Sequence, residues 1–407
     1  DEVSLLANEF KKSALKLKSL KEARNIFIRN IMHELKTPIT KGKFLLQLEK
    51  SDENIEKLKK DITSEDILAS LFYYAVFGEK ISENDLERFK WHGIYAKDEK
   101  QTSFSLKIPL NLGELNLEQL ESILDILETF SLLKISFKDG QKIEFDSLNL
   151  RDIPEIFNIL NKVGLSSFFE SSHSIKKVLT CPVNGLDTTQ IFDVEDLAKK
   201  LNESFVENKN FFNLPNKLQF AISGYREGCD AGFTPDVSFN AFKNNKDKIV
   251  FDLKILDKVV AQIGSSQIIK IARVIAAVYR DFGNREKNSN FKEFIKEFTL
   301  DSFCDILSSN LDIKIDNNQE IKILKEPKKP RMGINKSSKD GYSFIGLKSI
   351  KKEFTKDELK NIIENMKKYS TTKLKITHKS NIIILDVPTK NSDNLVNSLK
   401  NSGLVLE

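Results

Sequence analysis

The feature that most constrains this 407-residue chain is an order of elements that occurs twice. Phe104–Pro109 alternates apolar and polar side chains and ends at a proline, the pattern of a strand with one buried face. Asn116 then stands as a helix N-cap, with Leu120, Ile123, Leu124 and Leu127 spaced along one helical face. Leu133–Phe137 alternates again, Asp139-Gly140 signals a hairpin, and Lys142–Phe145 is the returning strand. A second helix runs from Ile153-Pro154 to Val163. Far downstream, Tyr342–Leu347 is again a strand. Phe354-Thr355-Lys356-Asp357-Glu358-Leu359 repeats the helix start at Leu115–Leu120, Leu374–Thr377 repeats Leu133–Ser136, and Ile382–Leu385 returns. Four elements in matching order imply an internal duplication, with the intervening chain forming a body of its own.

The first copy reads strand–helix–strand–strand–helix, a module of ferredoxin-like type, and the second repeats its first four elements. The class expected is α+β: a long N-terminal helix, then two such modules flanking an α/β body. The boundaries read as 1–60, 65–164, 165–320, a linker at 321–332, and 333–407. An aromatic cluster at Phe72, Tyr73, Tyr74 and Phe77 is expected to pack as core. Lys322–Arg331 holds five cations and two prolines, the composition of an exposed linker rather than of a nucleic-acid patch. The stretch Ser171–Phe242 concentrates loop chemistry. It carries a small-residue turn beside a thiol (Thr180-Cys181-Pro182-Val183-Asn184-Gly185), the phrase Asn213-Leu214-Pro215-Asn216-Lys217, and the loop Ser223–Cys229 containing Arg226.

Bulk composition narrows the function classes. The 64 Lys and Arg residues against 59 Asp and Glu leave a net charge of only +5, too little to mark a nucleic-acid protein. Three cysteines with no CxxC pair exclude a disulfide scaffold and a zinc module, and suit a reducing, cytoplasmic setting. No apolar run approaches the roughly 18 residues a membrane helix needs, so no membrane segment is expected.

Residues 1–60 are helical in pattern, with apolar residues mostly three or four apart and a single proline. His33-Glu34-Leu35-Lys36-Thr37-Pro38 stands in the middle. A helical imidazole beside a carboxylate that can take its proton suits phosphoryl acceptance at nitrogen. The string resembles the H-box of sensor histidine kinases, and Asp1–Phe10 resembles the end of the linker that precedes it. By that resemblance His33 is the phosphoacceptor, Glu34 the adjacent general base, and Thr37 the residue used in dephosphorylation. The family's nucleotide-binding asparagine box and glycine-rich loops have no counterpart downstream. His33 would then take phosphate from another chain, with a kinase or response regulator as partner.

Residues 65–407 resemble a different family. Phe89-Lys90-Trp91-His92-Gly93-Ile94-Tyr95, the duplicated module, Thr180-Cys181-Pro182 with Gly185 and Asp187, Asn213-Leu214-Pro215 and Val278–Glu286 resemble sirohaem-dependent nitrite/sulfite reductases. The resemblance implies six-electron reduction of nitrite or sulfite, with sirohaem bridged to a [4Fe–4S] cluster and an electron donor such as ferredoxin. It implies cluster cysteines in C-x5-C and C-x3-C pairs; Cys181, Cys229 and Cys304 lack that spacing, so the cluster ligands are expected outside this sequence. Cys304 is expected to be a buried small hydrophobe. It also implies convergent cations for the anion. Gly140 stands where one family arginine would be, Lys176 or Lys177 nearest a second, and Gln219 in place of the second lysine after Lys217. The remaining candidates for the sirohaem and anion site are Lys176, Lys177, Lys217 and Arg226. Lysine replaces arginine as a charge but not as a bidentate fork, so poor or altered substrate binding is expected. Three classes of function therefore stand: oxidoreductase, phosphoacceptor, and a non-catalytic fusion fragment.

Overall fold

The structure, a computed structural model, describes residues 64–168, 173–205, 211, 214–226, 235–285, 289–311, 313, 315 and 331–406. The chain divides into two compact units, 1–79 and 80–407. The first is described only from the helix Ser64–Phe77 onward, where Ile67, Leu71 and Ala75 are buried. The aromatic cluster on this helix is only partly core. Tyr73 sits edge-on to Tyr74 at 5.5 Å, while Phe77, at the helix end, is 51% exposed. His33, Glu34 and Thr37 lie outside the described residues.

In the second unit, three sheets carry the architecture. Ile94–Ala96, Phe104–Pro109, Lys142–Leu148 and Lys134–Lys138 line up antiparallel in that order as the first module. Gly333–Lys336, Tyr342–Ser349, Ile382–Pro388 and Lys373–Ile376 line up identically as the second. The duplication read from sequence is thus a duplication of sheet topology.

The last strand of each sheet comes from the other copy. Glu353–Thr355 closes the first sheet, with Phe354 opposite Ile135, and Glu114–Asn116 closes the second, with Leu115 opposite Leu374. Each of these short strands runs straight into a helix. Asn116 and Gln119 form a capping box for Leu117–Thr129, and Thr355 and Glu358 form one for Lys356–Lys368. Leu120, Ile123, Ile126 and Leu127 are buried on the first helix; Leu359, Ile362, Ile363 and Met366 on the second. Ile126 takes the core position the spacing assigns to Leu124. The two helices pack against each other. The exchange ties the modules together by backbone hydrogen bonds, because neither sheet is complete without the other copy.

The body between the modules is a five-stranded mixed sheet. Leu179–Thr180, Phe220–Ser223 and Val237–Lys243 are parallel neighbours, and Ile249–Ile255 and Lys258–Ile263 extend it antiparallel. Helices Glu195–Glu203, Ile268–Phe282, Phe291–Phe298 and Leu300–Leu311 contribute to its phenylalanine-rich core, in which Tyr279 stands edge-on to Phe291 at 5.3 Å. Cys304 is buried in that core, as its sequence setting implies. Among the described residues no helix is long and apolar enough to cross a membrane.

Candidate functional site

Two extended segments bring three of the four candidate cations side by side. Ile175 bridges Leu218 in parallel, and the Lys176 amide donates to the Leu218 carbonyl at 2.9 Å. Lys176 and Lys177 therefore lie next to Lys217 and Gln219. The loop before Lys217 is held from below by His173, whose Nδ1 is 3.1 Å from the carbonyl oxygens of both Leu214 and Pro215. Asp236 Oδ2 accepts the Gln219 amide at 2.8 Å. Burial pushes the Asp236 carboxyl up to about 6, against the opposing pull of that amide and of Lys217.

The side chains on these segments are partly committed to backbone. Lys177 Nζ donates to the Pro109 carbonyl at 3.0 Å, which joins the body to the first module. Gln219 Nε2 donates to the Lys177 and Phe220 carbonyls at 2.8 and 3.0 Å, so its amide closes the strand pairing. Lys176 and Lys177 border a small cavity of about 30 Å³ lined by Phe168, Phe205, Phe211 and Asn202. That volume holds about one water, not a tetrapyrrole.

Arg226 does not join the lysines. Its Nε donates to Asp252 Oδ2 at 3.2 Å and its guanidinium lies 4.2 Å from the Phe242 ring. Asp252 is fully buried, and burial raises its carboxyl above the usual range while Arg226 opposes the shift. A buried carboxylate needs its counter-ion, so Arg226 is occupied as a structural partner. Arg226 is thus placed with Asp252 and apart from the lysines.

The most unusual polar chemistry lies where both modules meet the body. Gln141, 1% exposed, points its Nε2 at the carbonyls of Thr180 and Ile376, 3.3 Å from each. Thr180 belongs to the body and Ile376 to the second module, so one side chain touches all three parts. Gly113 makes room for it: a Cβ there would lie 2.7 Å from Gln141 Nε2, on a backbone with φ of +71°. Gln141 Oε1 and Thr180 Oγ1 are buried with no hydrogen-bond partner among the described residues. Such atoms each cost about 1–3 kcal/mol and would be relieved by a polar ligand. Neighbouring His378 is buried and its imidazole is pushed down to about 4, so it is neutral at pH 7. Gly140 donates its amide to the His378 carbonyl at 3.2 Å, and a side chain at Gly140 would meet nothing within 4 Å. Thr180 stands in the sequence only as part of a small-residue turn, and Gln141 only as the residue after the Asp139-Gly140 hairpin signal. Nothing in their spacing signals burial without partners, because that arises only where the three parts meet.

Residues 171–315 match the family model described as nitrite and sulphite reductase 4Fe-4S domain. This chain is similar to nitrite and sulfite reductases. It is 24% identical to the assimilatory ferredoxin-dependent nitrite reductase of Haloferax mediterranei, over 84% of this chain and 66% of that protein. It is 21% identical to the ferredoxin sulfite reductase of Mycobacterium tuberculosis, over 80% of this chain and 63% of the other. The solved structure of the Mycobacterium tuberculosis NirA protein shares the α+β fold, with a TM-score of 0.76 and 20% identity over 86% of this chain and 69% of that one. The chain thus spans roughly two thirds of the length of its relatives. The family's cofactors are sirohaem and a [4Fe–4S] cluster.

The described residues fit the two groups differently. The Thr180 hydroxyl can donate to a ligand carboxylate, and Lys176 and Lys217 stand on adjoining segments, while Gln141 Oε1 accepts and calls for a donor on the ligand. The cluster finds no such fit. No group of three or more His, Cys, Asp or Glu able to hold a metal occurs among the described residues. Cys181 and Cys304 are buried in separate apolar clusters, and Cys229 lies outside the described residues.

Proposed function

We propose that residues 80–407 are part of a sirohaem-dependent reductase that takes nitrite or sulfite, with ferredoxin as electron donor. The observation that carries this is the buried pair Gln141 Oε1, an acceptor, and Thr180 Oγ1, a hydroxyl, both without partners among the described residues where both modules meet the body. The relatives named for nitrite, sulfite and ferredoxin support the substrate and donor. When bound, sirohaem supplies the iron at which the oxyanion is reduced. Gln141 Oε1 would accept from a donor on it and the Thr180 hydroxyl would donate to one of its carboxylates, while Lys176 and Lys217 would add positive charge for its carboxylates and the incoming anion. Gly140 and Gln219 provide no charge, and Lys177 and Arg226 are held by Pro109 and Asp252. The site therefore offers the oxyanion fewer cations than the family pattern, and weaker or altered substrate binding follows.

The test is to purify the complete gene product from cells that make sirohaem and record its absorption spectrum. Co-purifying sirohaem absorption supports the reading, and folded protein that remains colourless overturns it. Steady-state KM values for nitrite and sulfite then report the altered anion site, and normal turnover with both would remove that part.

A second reading applies to the N-terminal segment alone. The string His33-Glu34-Leu35-Lys36-Thr37-Pro38 favours phosphoryl acceptance at His33. Labelling by an added histidine kinase that disappears in His33→Gln supports it; labelling that persists in the variant refutes it.

A further inference from the structure

The last residue of the basic stretch Lys322–Arg331 does not behave as an exposed linker. Arg331 NH1 donates to Asp187 Oδ2 at 2.5 Å, and its guanidinium lies 4.7 Å from the Tyr225 ring. Both members of the pair are mostly covered, with 18% and 11% of their side chains exposed. The arginine backbone is fixed as well. A Cβ at Gly346, in the strand Tyr342–Ser349, would lie 2.1 Å from the Arg331 carbonyl oxygen, so only glycine lets the chain pass there. Arg331 is therefore seated on the second module while its side chain reaches into the body.

The loop it grips is the one that follows Thr180. Asp187 also accepts from the Thr189 amide and hydroxyl at 2.9 and 2.7 Å. Burial alone would raise the Asp187 carboxyl, but the bonds from Thr189 and Arg331 outweigh it and hold the group below the usual range. Ser338 adds two bonds to the same loop, its amide to the Leu186 carbonyl at 2.6 Å and its hydroxyl to the Gly185 carbonyl at 2.9 Å. Beneath them Cys181, Val183 and Tyr225 of the body pack with Phe344, Ile383 and Leu385 of the second module.

We propose that Arg331 is a positioning residue: it latches the second module onto the Cys181–Asp187 loop and so holds Thr180 against Gln141. The charge pair works because it is screened from water and its two ends belong to different parts of the fold. The role rests on the reading that Thr180 borders the cofactor, yet the latch is measurable without one.

The experiment is amide hydrogen exchange on the full chain without sirohaem, for wild type, Arg331→Met, Arg331→Lys and Asp187→Asn. Loss of the charge-assisted bond is expected to speed exchange at Leu186, Asp187 and Ser338 by about tenfold or more. The strand Val237–Lys243 should exchange at the wild-type rate. Asp187→Asn, nearly isosteric, should reproduce Arg331→Met, the double variant should add nothing further, and Arg331→Lys should recover part of the protection. Unchanged exchange in the loop, or acceleration spread evenly through the body, overturns the proposal. Loop exchange that behaves as expected in a protein that takes up no sirohaem would keep the latch and sink the cofactor reading instead.

Discussion

The ring of Phe354 lies 4.8 Å from that of Phe137, although the two residues belong to different copies of the repeat. Both are essentially buried, and Phe354 arrives on the short strand that pairs with Lys134–Lys138. The contact makes each module part of the other's core, so the two are expected to unfold together.

Phe354→Ala removes the aromatic anchor of one exchanged strand. It is expected to cost about 3–5 kcal/mol, the range for truncating a buried phenylalanine. Urea unfolding followed by both fluorescence and circular dichroism should show a lower midpoint with the two probes still coincident. Separate transitions for the two probes would show that the modules are not one cooperative unit.

Gly113→Ala places a methyl group where Gln141 Nε2 and the Ile376 carbonyl stand, each 2.7 Å away, on a left-handed backbone. Overpacking of this kind costs about 1–3 kcal/mol. The expected outcome is a lower thermal midpoint together with lost sirohaem uptake, because Gln141 must move. Retained uptake with normal stability would exclude Gln141 from the cradle.

Lys176→Met deletes one charge on the segment paired with Leu218 while keeping most of the side-chain length. A charge-assisted hydrogen bond contributes about 1.5–3 kcal/mol, so sirohaem retention on a desalting column should drop by roughly tenfold or more. Arg226→Met should act differently, lowering stability by leaving Asp252 buried without its partner. Equal effects of the two variants on retention would place Arg226 back in the site.

Two buried groups give stability opposite slopes with pH. His378 is pushed down to about 4, so the unfolded chain binds its proton first, and stability falls as pH drops from 6.5 towards 4. Asp236 is pushed up to about 6, so the folded chain binds its proton first, and stability rises as pH drops from 6 towards 3.8. Asp236→Asn keeps an acceptor for the Gln219 amide but removes the compensating gain. It is expected to make the protein more acid-sensitive between pH 6 and 4 in denaturant titrations, and a shallower pH dependence would contradict the Asp236 assignment.

Much of this architecture is legible in the sequence because it rests on local pattern. Asn116 and Thr355 announce helix starts through capping chemistry that acts within three residues. Phe104–Pro109 and Tyr342–Ser349 are strands as the pattern announces, but nearly every residue of each is buried, so both faces are covered rather than the one that alternation implies. The duplication follows from the matching order of such elements.

The sequence alone determined the repeat and its strands and helices, since periodicity and capping depend only on near neighbours along the chain. Tertiary structure decided the rest. Leu115 pairs with Leu374 and Phe354 with Ile135 because each sheet's last backbone edge is satisfied only by the other copy. Arg226 serves Asp252, and Arg331 serves Asp187, because a buried charge takes whichever partner the fold brings within reach. Gln141 and Thr180 are left with unpartnered oxygens among the described residues because surfaces from three parts of the chain meet over them. None of these outcomes has a local signature, for each is set by which distant residues come together when water is excluded.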